Sequence, residues 1–275
     1  MSLKLMYITN RPEIAKIAES AGVDRIFVDL EYIGKEDRQG GMDTVQSRHT
    51  LDDVKRIAQT VNRAEVLVRV NPIHDATEKY CSSEEEIRAA IENGADIIML
   101  PFFKTLNEVK RFVSAVNEKA KAMLLLETPE SVDIIDDILS IKGIDFIHIG
   151  LNDLSLGYGM KFMFELLTDG TVEKLCTKIR NKGIPYGFGG IASIGKGAIP
   201  AEMIIEEHYR LGSTCAILSR SFCNVDKIDC IDTVRATFVN GMREIRKFEV
   251  ECQNRTDHFA ANARKIAEAV KKIIE

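Results

Sequence analysis

KAMLLLETPESVDIIDDILSIKGIDFIHIGLNDLS, residues 121–155, contains one complete strand–helix–strand unit. Residues 122–126, inside an expected strand at 121–128, form an apolar run without alternation, as a strand covered on both faces requires. Residues 129–139 open on Pro129 and carry Val132, Ile135, Ile138 and Leu139 at helical spacing. Gly143 then closes the turn into a second β-branched run at residues 145–151. The same order of elements extends outward in both directions. Strands are expected at residues 3–9, 24–30, 65–71, 96–102, 121–128, 145–151, 186–191 and 215–220. Amphipathic helices are expected at 12–21, 51–61, 83–93, 105–119, 129–139, 172–181 and 200–211. Gly22, Gly94, Gly143, Gly183 and Gly212 stand where a left-handed residue lets an α-to-β turn close. Eight such units, with no G-x-G-x-x-G after the first strand, predict an α/β fold, the (β/α)8 TIM barrel, rather than a doubly wound sheet.

The barrel accounts for residues 1–227. Residues 228–275 supply the last barrel helix and a C-terminal helical extension, with a break expected at 253–257. Phe259, Ala263, Ile266, Ala269, Val270 and Ile273 share helical spacing there, which suits packing on this chain's own barrel or on a neighbouring subunit. Composition narrows the function classes. With 45% hydrophobic and 29% charged residues, 18 Gly and 6 Pro, the chain of 275 residues is neither disordered nor collagen-like and can bury a full core. Its net charge of −5, from 37 basic and 42 acidic residues intermixed, argues against nucleic-acid or anionic membrane partners. No apolar run approaches the roughly 20 residues of a membrane span, and MSLKLMYITNRPE turns polar too soon for a signal peptide. The six Cys (81, 176, 215, 223, 230, 252) form no C-x-x-C and no Cys/His metal spacing, and most read as small hydrophobes in a reducing cytosol. A cytoplasmic location is expected.

In this fold the chemistry lies at the C-terminal ends of the strands. The second strand ends FVDLEY, where Asp29 and Glu31 share parity; the third ends VLVRVNP, where Arg69 and Asn71 do. Glu127 follows three leucines in LLLETPES, and Asp153 lies just past the sixth strand in FIHIGLNDLS. An unpaired charge facing the covering helices would cost several kcal/mol, so these side chains are expected in the barrel mouth. Glu127 and Asp153 sit one βα unit apart, on strands roughly 5 Å apart. Two carboxylates that close need a proton or a cation between them, and an all-oxygen set suits Mg2+ or Mn2+. The alternative is that one of them caps a helix, since Thr128-Pro129-Glu130 and Asn152-Asp153-Leu154-Ser155 both resemble helix starts. Arg69 is an anion clamp or an ion-pair partner of Glu31. Lys104 reads as a rim residue, not as a Schiff-base lysine. Gly187, Gly189, Gly190, Gly195 and Gly197 could cradle an anion or simply shape tight loops. His148, His208 and His258 read as structural, whereas His49 and His74 lie on loops at the active end, open to proton transfer. Residues 31–50 make a long βα connection whose Lys35, Arg38, Arg48 and His49 suit an anionic group or a solvated surface.

VDLEY, VRVNP, IMLPFF, LLLETPES and HIGLNDLSLGYG resemble, in order and spacing, segments of the dihydroxyheptenedioate aldolase / citrate lyase beta-subunit superfamily, across residues 7–220. The resemblance implies a (β/α)8 barrel that assembles as a homo-oligomer, a hexamer or trimer. It implies a divalent metal, Mg2+ or Mn2+, on Glu127 and Asp153, and Arg69 against the keto oxygen of a pyruvate-like carboxylate. Asp29 and the segment Gly150-Leu151-Asn152 complete the implied substrate-binding positions. Two departures stand out. Tyr32 occupies the position of a catalytic His that follows Asp-Gly-Glu in the aldolase branch, and Asp29-Leu30-Glu31, with Lys35 and Arg38, is closer to the citrate lyase branch. Gly150-Leu151-Asn152 also replaces the usual Gly-Pro before the metal Asp. The expected activity is a metal-dependent carbon–carbon lyase of the class II aldolase type, cleaving or forming a 2-keto-4-hydroxy acid through a pyruvate enolate. Its base would be His49, Glu31 or hydroxide on the metal. The alternatives are a citrate lyase-like enzyme acting on an acyl-CoA thioester, or a non-catalytic ligand-binding barrel, which Tyr32 motivates.

Overall fold

The computed structural model describes residues 2–34, 49–254 and 258–275. Eight strands follow one another around a closed barrel: β1 Lys4–Ile8, β2 Arg25–Asp29, β3 Glu65–Arg69, β4 Ile97–Leu100, β5 Lys121–Leu126, β6 Phe146–Ile149, β7 Tyr186–Ile191 and β8 Cys215–Leu218. Every pair is parallel, and β8 closes onto β1. Strand parity sorts the core into two layers. Met6, Phe27, Leu67, Ile97, Met99, Met123, Leu125 and Cys215 fill the barrel interior, while the alternate positions, among them Leu5, Ile26, Val28, Val68 and Leu124, belong to the larger core that includes the helices.

Local sequence fixes the helix starts. Thr50, Ser82 and Thr105 each form a capping box with the acidic residue three positions on. The five turn glycines all have positive φ; at Gly212, φ is 72° and a Cβ would come within 3.1 Å of the Tyr186 hydroxyl. Two expected helices are shorter. Residues 105–119 yield Leu106–Val116, because Asn117 and Glu118 turn left-handed at φ 49° and 56°. Residues 129–139 split into Pro129–Asp133 and Ile135–Ile138 at Ile134.

Helix Ile231–Asn254 packs against Pro12–Ser20 and Ala201–Leu211, completing the outer ring. Its buried Glu249 accepts from the Leu3 amide at 2.7 Å and from the Tyr209 hydroxyl at 3.1 Å, which ties it to the start of β1. The last helix, Phe259–Ile274, lies on Ala201–Leu211 and Glu165–Thr168 of the same chain. Among the described residues no helix is long and apolar enough to cross a membrane.

Two histidines are buried in the frame. His148 in β6 donates from Nε2 to the Gly189 carbonyl at 3.1 Å, and burial pushes its imidazole down to about 4. His208 stacks on Phe188 at 3.9 Å and is pushed down to about 3, again by burial. Both take up a proton near pH 6.5 when unfolded. Their contribution is therefore complete above about pH 6.5 and is lost as pH falls toward the folded values. For His148 alone the shift corresponds to roughly 3 kcal/mol. Urea unfolding is expected to show stability falling between pH 6.5 and 4.5, with a shallower slope in His148→Leu; an equal slope would exclude the buried imidazole as the cause.

Candidate active site

Register, not parity alone, builds the first half of the mouth. Asp29 and Arg69 are direct partners across β2 and β3. The Arg69 guanidinium donates from Nε and Nη2 to the two Asp29 oxygens, each at 2.8 Å, and Nη1 lies 3.3 Å from Glu31 Oε2. Asp29 and Glu31 are each 1% exposed. Arg69 is therefore an ion-pair partner, with Asp29 ahead of Glu31. Burial opposes its charge, but Asp29, Glu31 and, more weakly, Glu127 outweigh that and hold it protonated far above any working pH.

The chain leaving β2 is held from β3. Asn71 Oδ1 accepts the amides of Tyr32 and Ile33, each at 2.9 Å, and Nδ2 donates to the buried Glu86 at 2.7 Å. Tyr32 is 48% exposed, its ring 5.4 Å from that of Tyr80. It lines a cavity of about 400 Å³ with His49, His74, Tyr80 and Glu86. The Asp29 amide donates to His49 Nδ1 at 3.0 Å. A backbone N–H can only donate, so the neutral His49 ring carries its proton on Nε2. His49 is thus arranged to donate a hydrogen bond, and the Nδ1 lone pair a base would use is engaged. His74 braces its own loop, with Nδ1 2.8 Å from the Pro72 carbonyl and Nε2 2.9 Å from that of Cys81. Lys35, Arg38 and Arg48 lie outside the described residues.

The second half lies across the mouth. Glu127, 4% exposed, directly follows β5, and its Oε1 accepts the Phe102 amide at 3.0 Å. The Gly150 amide donates to the Leu126 carbonyl at 2.9 Å, which brings residue 150 alongside Glu127. A Cβ on Gly150 would sit 2.8 Å from both Glu127 Cβ and Oε2, so only glycine leaves room for that carboxylate. Asp153 is half-buried in the first turn of helix Leu151–Gly157, and Asn152 Nδ2 lies 3.2 Å from its Oδ1. Leu151 is buried at 1% exposure within the core that includes the helices. Thr128 caps Pro129–Asp133 and Gly150 precedes Leu151–Gly157, so neither Glu127 nor Asp153 is a helix cap. Both carboxylates line a cavity of about 450 Å³ with Phe102, Lys104, Pro129 and Leu156. Lys104 is on its rim, bonded to Glu130 at 2.9 Å. Gly187 and Gly189 serve close packing, since a Cβ there would strike the Cys215 carbonyl and Leu151.

The donor set fits a hard divalent cation. Among the described residues the mouth holds the carboxylates of Asp29, Glu31, Glu127 and Asp153 together with Arg69, Arg220 and, on the rim, Lys104. Glu127 and Asp153 supply oxygen only, and the space beside Oε2 is kept open by Gly150. Among the described residues no group of three or more His, Cys, Asp or Glu is poised for a metal. Water and substrate oxygens would fill the remaining positions, as is usual for Mg2+ on one or two carboxylates. Phe102 and Glu86 are the parts of the site that sequence reasoning passed over, and Asn71 was placed by parity but given no role. The parity of Asn71 with Arg69 was the one available signal.

The HpcH/HpaI aldolase/citrate lyase family matches residues 4–185 of this chain. A 4-hydroxy-4-methyl-2-oxoglutarate aldolase cghB from Chaetomium globosum is 23% identical over 215 residues, covering 66% of this chain and 72% of that protein. Two solved structures share the fold. The HpcH/HpaI aldolase from Desulfitobacterium hafniense DCB-2 superposes with a TM-score of 0.59 at 17% identity, over 79% of this chain and 86% of that one. An HpcH/HpaI aldolase/citrate lyase family protein from Burkholderia cenocepacia J2315 superposes with a TM-score of 0.62 at 15% identity, over 89% and 95%.

Proposed function

We propose, from the premise that this chain belongs to the HpcH/HpaI aldolase/citrate lyase family, that it is a carbon–carbon lyase cleaving or forming a 2-keto-4-hydroxy acid through a pyruvate enolate. The observation that carries this is the pairing of Glu127, oriented by the Phe102 amide and given room by Gly150, with Asp153 in one cavity. The name of the Chaetomium relative describes a substrate of that class. Glu127 and Asp153 would hold Mg2+ or Mn2+. When bound, the cation supplies a Lewis acid that polarises the keto oxygen and offsets the enolate charge.

The chain's own groups do the rest. Arg69, fixed by its two-pronged bond to Asp29, sets a positive charge at the mouth without reorganisation and stabilises the developing enolate oxygen. In cleavage the C4 hydroxyl loses its proton and becomes a carbonyl, and the electrons of the C3–C4 bond move onto the pyruvate unit. We assign the proton acceptor to Glu31, buried beside Arg69 Nη1; His49, with its proton on Nε2, donates a hydrogen bond instead. The Tyr32 ring packs 5.4 Å from that of Tyr80, in the cavity it shares with His49.

The test is deuterium exchange of the pyruvate methyl group, followed by proton NMR in D2O with Mg2+ or Mn2+. Metal-dependent exchange is expected in the parent protein. Its absence would overturn the pyruvate reading and direct assays to acyl-CoA thioesters, toward which Asp29-Leu30-Glu31 leans.

A further inference from the structure

Among the described residues, three that are not glycine have positive φ. Asn117 and Glu118 follow the end of helix Leu106–Val116, where such a turn is ordinary. Phe102, at φ 48°, ends no helix. It follows the buried Pro101 and is pinned on both sides. Its own amide meets Glu127 Oε1 at 3.0 Å, and the next carbonyl, that of Phe103, accepts the Thr128 hydroxyl at 2.7 Å. Two bonds thus clamp the end of β4 to the end of β5, and the left-handed turn is what aims the Phe102 N–H at the carboxylate. A bulky aromatic residue is disfavoured in that conformation and glycine is favoured. Glycine would present the same N–H without strain, so what phenylalanine adds is its ring. Phe102 is half-buried and lines the 450 Å³ cavity together with Pro129, Leu156, Glu127 and Asp153. Lys104 Nζ lies 5.3 Å from the ring centroid and bonds Glu130 at 2.9 Å, bracing the ring from outside.

We propose that Phe102 is a positioning and specificity residue: its left-handed backbone orients Glu127 through the amide, and its ring limits the alkyl group a 2-keto acid can carry at C3. This rests on the site reading given above. Backbone and ring separate in two variants. Phe102→Gly keeps the turn and the N–H but removes the wall. Phe102→Val, β-branched, cannot hold φ 48° and loses the aim of the N–H.

Mn2+ binding, measured by electron paramagnetic resonance without substrate, is expected to stay within about twofold of the parent in Phe102→Gly and to weaken at least about tenfold in Phe102→Val. Exchange at C3 of 2-oxobutanoate relative to pyruvate is expected to rise at least about tenfold in Phe102→Gly, chiefly through a lower KM for the larger acid. Parental Mn2+ affinity in Phe102→Val would overturn the positioning role, and an unchanged size preference in Phe102→Gly would overturn the specificity role. Failure of the parent protein to bind Mn2+ would instead overturn the site reading itself.

Discussion

Glu127→Ala is expected to abolish Mn2+ binding and to lower metal-dependent pyruvate exchange by at least about 10³-fold, since a Lewis acid supplies several kcal/mol to the transition state and each 1.4 kcal/mol is tenfold. Glu127 is one of two carboxylates that would hold the cation, and removing it also leaves the Phe102 amide without its acceptor. An unmet amide costs about 1–3 kcal/mol when buried. Loss of one carboxylate from a mouth crowded with four relieves repulsion and offsets part of that cost. The variant is therefore expected to fold, with a thermal midpoint lowered by only a few degrees. Asp153→Ala separates the two effects. It leaves the Phe102–Glu127 bond intact, so its exchange rate should fall comparably while its midpoint moves less. Glu127→Gln can still accept the amide but brings no charge; it should recover the midpoint and not the exchange. Parental exchange in either alanine variant would remove the metal from these residues.

How much of this was legible follows from which physical rule decides each residue. Parity along a strand is a two-residue period, readable without a structure, and it put Asp29, Glu31 and Arg69 in the mouth together. Register between strands is not readable that way. The partner of Arg69 is first Asp29 because those two residues face each other across β2 and β3, a fact no spacing contains. Cap chemistry is local, and so the turn glycines and the boxes at Thr50, Ser82 and Thr105 could be anticipated from neighbours three residues apart. The φ of Phe102 is the opposite case. Nothing in LPFFK marks a left-handed turn, since the conformation is imposed by bonds from residues 25 positions away. The hydrogen bonding of His49 depends equally on a contact of long sequence separation, the Asp29 amide, which engages its Nδ1. The clamp of Asn71 and Glu86 joins two strand–helix units.

Arg69→Met should be the most destabilising single change in the mouth. It removes the guanidinium that bonds both Asp29 oxygens and lies against Glu31, each carboxylate 1% exposed, and breaking a buried ion pair from one side costs about 3–5 kcal/mol. In the parent protein the Arg69 pKa is raised, so its contribution is complete below the unfolded value and persists throughout the working range. Its loss is therefore expected to lower stability throughout pH 5–8, as urea unfolding would read out. Arg69→Lys distinguishes charge from shape. A lysine ammonium restores the positive charge and with it most of the stability, but it cannot place two parallel N–H groups on both Asp29 oxygens and still reach Glu31. Because stabilisation of an enolate depends on donors fixed in advance, kcat for exchange should remain about 10²-fold down in Arg69→Lys. A lysine variant with parental kcat would mean that the mouth needs only a positive charge. The two-pronged bond to Asp29 would then be a device of folding, and the work of stabilising the enolate would fall to the Glu127 and Asp153 side of the barrel.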